Sequence, residues 1–176
     1  NWNPILIATG QEHTLVIDSE RNLWAWGNNI HGQLGEGTTV KREVPTLINS
    51  ESNWHSISAG GYHSLALKTN GTLWSWGYNA GGNLGDGTTT DREIPTQIGT
   101  GSDWKMISAG SSHSLAIKSD GTLWAWGWNY YGQVGDGTVT NKKIPTKIGS
   151  SSDWKIISAG GVQSFAIKNN GTLWTW

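Results

Sequence analysis

The sequence contains no cysteine. A disulfide framework, a thiolate zinc site and a cysteine nucleophile are therefore excluded. Long apolar runs are missing too, and no stretch approaches the roughly 18 residues of a membrane-spanning helix. Charge is scarce: 14% of residues are charged, with 12 Lys and Arg against 13 Asp and Glu, a net charge of −1. Without a basic excess, the electrostatic hold that nucleic-acid binding relies on is lacking. At 176 residues the chain suits one domain better than a two-domain enzyme. Neither an initiating Met nor a signal-peptide pattern stands at Asn1 to Gly10. The expectation is a processed chain or a piece of a longer one.

What the sequence does have is tryptophan, 13 of them, beside 25 glycines. Trp buries large apolar area, which compensates for a hydrophobic fraction of only 35%. The tryptophans are periodic. Trp54, Trp104 and Trp154 are 50 apart, as are Trp24, Trp74, Trp124 and Trp174, and Trp26, Trp76, Trp126 and Trp176. His13, His63 and His113 keep the same step, with Gln163 in fourth place. Residues 54–103 laid over 104–153 give 30 identities in 50 positions without a gap. The first unit is looser. Trp2 sits two residues early relative to Trp54, and Ser19-Glu20-Arg21-Asn22 replaces the Thr69-Asn70-Gly71-Thr72 type of turn. A period of this length signals a repeat architecture.

Each unit reads as β-structure. Trp54 to Gly60 is a short apolar run, and His63 to Lys68 alternates. Asn70-Gly71, Asp120-Gly121 and Asn170-Gly171 predict two-residue type I′ hairpin turns. Thr72 to Trp76 forms the return strand, since aromatic residues favour a pleated surface. Gly77 to Thr89 is a Gly-rich loop, and Ile94 to Ile98 predicts a last strand whose Pro95 belongs on an edge. Four strands per 50 residues, with no helical stripe and no room for crossovers, describe a propeller blade. The fold expected is an all-β propeller of four-stranded blades, three full and a partial fourth. The whole chain is then one partial propeller domain, with units at about 2–53, 54–103, 104–153 and 154–176.

Leu123-Trp124-Ala125-Trp126-Gly127, Asn129, Gly132-Gln133-Val134-Gly135-Asp136-Gly137-Thr138 and Pro145 together resemble the regulator of chromosome condensation repeat. Gly32-Gln33-Leu34-Gly35 and Gly82-Asn83-Leu84-Gly85 fit the same pattern, and the resemblance recurs in register along the chain. It implies a β-propeller, usually of seven blades. The near-uniform units are more similar to bacterial members than to the divergent blades of the eukaryotic nucleotide-exchange factor. Four blades in an open arc would leave two apolar blade faces in water. Either missing blades of a longer propeller or self-association of copies is expected to cover them.

Candidate chemistry is sparse. His13, His63 and His113 could ring an axis and hold a metal. Gln163 in the fourth place favours a structural hydrogen bond, because an amide replaces imidazole as a hydrogen-bonding group but not as a metal ligand. Glu36, Asp86 and Asp136, each between glycines, read as turn formers rather than calcium ligands. Ser64, Ser114 and Ser164 adjoin the His position, and adjacent strand residues point to opposite faces. A base–nucleophile pair of these neighbours is therefore not expected, and no nucleophile elbow or phosphate loop occurs. No cofactor, metal or catalytic residue is assigned, and the chain reads as a non-enzyme. Asn70-Gly71-Thr72 and Asn170-Gly171-Thr172 match a glycosylation sequon, which their turn role already explains.

Comparison of the units with one another separates the blade from its decoration. Trp24, Trp26, Trp74, Trp76, Trp124 and Trp126, with the three histidines, are constant and belong to the blade. The positions after the Trp-Gly pair vary. They are Asn28, Ile30 and His31, then Tyr78, Ala80 and Gly81, then Trp128, Tyr130 and Tyr131. Two further variable sets precede the first hairpin (Gln11-Glu12, Gly61-Tyr62, Ser111-Ser112, Gly161-Val162) and the last strand (Lys41-Arg42-Glu43, Asp91-Arg92-Glu93, Asn141-Lys142-Lys143). Binding usually sits on loops held by a rigid frame, and Trp and Tyr are favoured there. The candidate interaction residues are therefore Trp128, Tyr130, Tyr131, Tyr78, Ile30 and His31. The expected function is a non-catalytic scaffold for a protein partner. The family resemblance adds guanine-nucleotide exchange on a small GTPase with chromatin association, although no inserted wedge breaks the three full units. Composition adds a lectin-like glycan binder using Trp128 and Tyr131. Low charge with much Gly, Ser, Thr and Asn suits a bacterial secreted or surface location.

Overall fold

Alternating strands joined by tight turns leave each 50-residue unit one simple course, an antiparallel meander. The computed structural model describes residues 3–49 and 51–176, so Trp2 lies outside the described residues. Those residues form fifteen strands and no helix. The first sheet is β1 (Pro4–Thr9), β2 (His13–Asp18), β3 (Leu23–Gly27) and β4 (Arg42–Leu47), in that order. The second is β5 (Trp54–Ala59), β6 (His63–Lys68), β7 (Leu73–Gly77) and β8 (Arg92–Gln97). The third is β9 (Trp104–Ala109), β10 (His113–Lys118), β11 (Leu123–Gly127) and β12 (Lys142–Lys147). The fourth has three strands: β13 (Trp154–Ala159), β14 (Ser164–Lys168) and β15 (Leu173–Thr175). First strands of successive sheets touch, β1 on β5, β5 on β9 and β9 on β13, and these strands line the axis of the arc. The Pro-bearing strands β4, β8 and β12 are the outer edges, where a missing N–H costs no ladder bond.

The hairpin turn differs from the type I′ expected. Gly71 has φ +78°, but Asn70 does not have positive φ. Gly71 N donates to the Lys68 carbonyl at 2.9 Å, and Lys68 N donates to the Thr72 carbonyl at 3.1 Å. This is the three-residue hairpin whose glycine forms a bulge. Asn70 contributes its side chain instead: its Oδ1 accepts from Thr72 Oγ1 at 2.7 Å. In the first unit Arg21 takes the glycine's place at φ +67°, the one non-glycine with positive φ among the described residues.

The core lies between sheets rather than within them. Leu15, Ile17, Leu23, Ala25 and Leu34 of the first sheet and its loop pack on Trp54, Ala66 and Trp76 of the second. Leu65, Leu67, Leu73 and Ile98 meet Trp104, Ala116 and Trp126 in the same way. Leu115, Ile117, Leu123 and Val134 then meet Trp154 and Ala166. Trp76 and Trp126 are fully buried. At about 25 cal/mol per Å2 over 150–250 Å2, each contributes roughly 4–6 kcal/mol of gross apolar burial. Trp76 Nε1 donates to the Gln33 carbonyl at 2.8 Å, and Trp126 Nε1 to that of Asn83 at 2.9 Å. Each tryptophan thus reaches into the Gly-rich loop of the preceding blade.

The first blade departs from the rule. Trp54 stands opposite Lys68, but Pro4 stands opposite Asp18. Lys68 Nζ lies 3.7 Å from the centre of the Trp74 ring and 4.8 Å from that of Trp54. Lys118 sits 4.7 Å from both Trp104 and Trp124. Asp18 instead accepts from Trp24 Nε1 at 2.8 Å, so the indole turns from a cation's face to a carboxylate's donor.

Candidate functional site

The variable loops are positioned by one buried amide per blade. Asn79 is wholly buried behind β7. Its Oδ1 accepts from Leu84 N at 3.0 Å, and its Nδ2 donates to Asp86 Oδ1 at 3.1 Å and to the Thr90 carbonyl at 3.0 Å. Asn29 and Asn129 do the same in their blades. The acidic position closes the loop base. Asp86 Oδ2 accepts from Arg92 Nε at 2.8 Å, and its Oδ1 from Thr88 N at 2.9 Å. Burial would raise this carboxyl, but the bonds from Thr88, Arg92 and Asn79 hold it below its ordinary value. The oxygens that a calcium reading would need are already taken up inside the loop. Gly37 N donates to the Glu93 carbonyl and Gly87 N to that of Lys143, both at 2.8 Å, which docks each loop on the next blade.

The histidines lie at the blade junctions. His13 Nε2 is 2.9 Å from Ser64 Oγ, His63 Nε2 from Ser114 Oγ, and His113 Nε2 from Ser164 Oγ. Neighbouring strand positions do keep His63 and Ser64 apart. Each histidine nevertheless meets the serine of the following blade, a pairing that the sequence reading did not anticipate. The pair is not a base and nucleophile. Ser64 Oγ donates its proton to the Gln33 carbonyl at 2.8 Å and Ser114 Oγ to that of Asn83 at 2.9 Å. Each serine must therefore accept from its histidine, which fixes the Nε2–H tautomer. The other nitrogen, Nδ1, is buried without a partner in all three. Burial pushes His13 and His113 down to about 4. His63 is pushed down to about 3, by burial first and then by the other two histidines. All three imidazoles are neutral at pH 7.

Around the rim the loops bring the candidate residues together in two groups. His31 packs edge-on against Tyr78 of the next blade at 4.7 Å and against Tyr62 at 5.6 Å. Its Nδ1 is 2.9 Å from Asp91 Oδ2. Trp128 stacks with Tyr130 at 6.1 Å and meets Tyr131 edge-on at 5.5 Å, and the two tyrosines are 5.2 Å apart. Ile30, Tyr130 and Tyr131 remain exposed, at 62%, 66% and 62%. Between the groups lies a crevice of about 400 Å3, with Tyr78 and Trp128 among its walls and Asn83, Ser112 and Asn141 also lining it. Tyr62, Ser112 and Asn141 belong to the two further variable sets and Asn83 to the repeat motif, and none of the four is among the candidate interaction residues. The signal that finds them is the 50-residue offset, which places Ser112 at the Tyr62 position and Asn141 at the Asp91 position.

Residues 3–176 match the family model described as the RCC1-like domain. The chain belongs to this family. Human protein RCC2 is 47% identical over 47 residues, which are 27% of this chain and 9% of that protein. The Arabidopsis thaliana ultraviolet-B receptor UVR8 is 38% identical over 48 residues, 27% of this chain and 11% of the receptor. The structure of Prp20p from Saccharomyces cerevisiae superimposes with a TM-score of 0.89 at 26% identity, covering 100% of this chain and 45% of that one. The chain thus spans less than half of that RCC1-like propeller and about a tenth of the curated relatives named here. The four-stranded sheets of the present chain are RCC1-type blades, three full and one partial.

Proposed function

We propose that this RCC1-like chain is a non-catalytic interaction module that takes a protein partner on the rim formed by its variable loops. The observation that carries this is the Trp128, Tyr130 and Tyr131 group. Two of its three rings stay largely in water while the loop beneath them is held rigidly by Asn129. Large, stiff rings on a fixed frame supply contact area at little ordering cost. The one His–Ser constellation in the described blades is buried, neutral and committed to a backbone carbonyl, so it supports no catalytic role. The related structures agree in kind: one shows yeast RCC1 (Prp20) bound to Kap60, and another concerns binding of Prp20p to Gsp1p and histones.

The test borrows residues that the fold already accepts. Trp128→Asn, Tyr130→Ile and Tyr131→His together install the first blade's Asn28, Ile30 and His31. Partners captured by the chain from its source cells should be lost by this variant while its melting temperature stays within a few degrees. An unchanged set of partners would remove the loop face from the proposal.

A further inference from the structure

The crevice between the second and third blades is the place where a ring is missing. At the preceding junction, position 31 supplies the His31 imidazole, held by Tyr78, Tyr62 and Asp91 of the next blade. Fifty residues on, the ring-bearing position is Gly81, and the holding positions are Trp128, Ser112 and Asn141. All four line the crevice of about 400 Å3. The walls have been kept and widened, Trp for Tyr and Ser for Tyr, while the ring has gone. No ring can come from position 81 itself. A Cβ there would lie 2.8 Å from Asn83 Oδ1 and 3.0 Å from Trp128 Cβ.

The polar groups have changed in one direction. Asp91 uses Oδ1 to accept from Asn79 N and Oδ2 to meet His31. Asn141 likewise uses Oδ1 to accept from Asn129 N at 2.9 Å, which leaves an Nδ2 donor where Asp91 offers an oxygen. Asn83 Oδ1 accepts from Gly81 N at 3.1 Å, and its wholly buried Nδ2 has no partner, as also holds for Gln33 Nε2 and Gln133 Nε2 in their blades. Among the described residues no charged side chain lines the crevice, so a charged occupant would be desolvated without compensation.

We propose that this crevice receives an uncharged aromatic side chain of a partner protein, a phenol or a neutral imidazole, seated against Trp128 and accepting from Asn141. This rests on reading the loop face as a protein-binding surface. It adds which chemical group the surface selects and where that group enters.

The experiment uses N-acetyl-tyrosinamide as the probe, with the 176-residue chain labelled with 5-fluorotryptophan and observed by fluorine NMR. The Trp128 resonance is assigned by its loss in Trp128→Asn, a residue the first blade carries at Asn28. Titration should move the Trp128 signal saturably in the millimolar range. In a competition readout, Trp128→Asn should weaken binding at least about tenfold, equivalent to 1.4 kcal/mol, with an unchanged melting temperature. N-acetyl-leucinamide and methyl glucopyranoside should leave the signal in place. Absence of a saturable shift, an equal response to leucinamide, or a response to the glucoside in place of tyrosinamide would each overturn the proposal. The two readings fail separately. Saturable ring binding with partner capture untouched by the loop variant leaves the crevice and removes the protein surface. Loop-dependent capture without ring binding does the reverse.

Discussion

At the residue scale the junction histidines make stability depend on pH. Their folded values, about 4 for His13 and His113 and about 3 for His63, lie below the 6.5 of a free imidazole. The unfolded chain therefore takes up protons first, and stability falls as pH drops through 6.5 until the folded values are reached. Each group contributes about 2 kcal/mol of loss between pH 7 and 5, roughly 6 kcal/mol for the three. Denaturant unfolding at pH 7, 6 and 5 should show this loss, and a flat profile would contradict neutral buried imidazoles. Ser114 stands between His63 and the Asn83 carbonyl. Ser114→Ala strands the His63 Nε2–H, while the Asn83 carbonyl keeps its bond from Trp126, and a cost of about 1–3 kcal/mol is expected in the same measurement. Arg21 offers a gain. A non-glycine at φ +67° is strained, so Arg21→Gly should raise the denaturation midpoint by the equivalent of about 0.5–1 kcal/mol.

At the scale of elements, the Gly-rich loop and the next blade's tryptophan are made for one another. A Cβ on Gly85 would stand 2.8 Å from Trp126 Nε1 at a backbone φ of +78°. Gly85→Ala should therefore cost on the order of 2 kcal/mol or more, read by thermal unfolding. Gly99 is the control, because nothing lies within 4 Å of its Cβ position, and only its φ of +63° penalises alanine there. How far such matters are legible in sequence depends on the separation involved. Strand order, the outer place of Pro95 and the blade count follow from local alternation and the 50-residue step. The turn type did not, because Asn-Gly suits two hairpin geometries, and the choice was made by the bond from Gly71 N to the Lys68 carbonyl. The His–Ser pairs were missed for a related reason. The partners are 51 residues apart, and a strand-facing rule applied within one sheet says nothing across a junction. Trp128, Tyr130 and Tyr131 were legible as a group because they are neighbours in sequence. The crevice was not, since it is defined by the absence of a side chain at Gly81.

For the molecule as a whole, sheets that share cores only with their neighbours behave as a nearly linear array. Cutting one junction should uncouple the parts. Trp126→Ala removes one of the two buried tryptophans of the middle core, at a cost of about 3–5 kcal/mol. In the 176-residue chain it should split a single unfolding transition into two, with amides of β2 and β14 reporting different stabilities by hydrogen exchange. A single transition merely shifted to lower temperature would argue for cooperativity beyond nearest neighbours. The same linearity explains how the first blade tolerates Pro4 and Asp18 in place of the Trp–Lys pair. The second and third sheets keep their own Trp–Lys pairs.

The one-sided hydrogen bond at each junction also bears on how such a chain could grow. The second and third blades each carry a histidine for the blade ahead and a serine for the blade behind, while the first has Thr14 at the serine position. A duplicated 50-residue segment spliced in at any boundary would arrive with both halves of the fastening, and with a tryptophan that fits the loop it meets. Unequal crossing-over between the similar second and third units could therefore lengthen or shorten the gene by whole blades without inventing a new interface. What natural selection would then have left to alter is the rim.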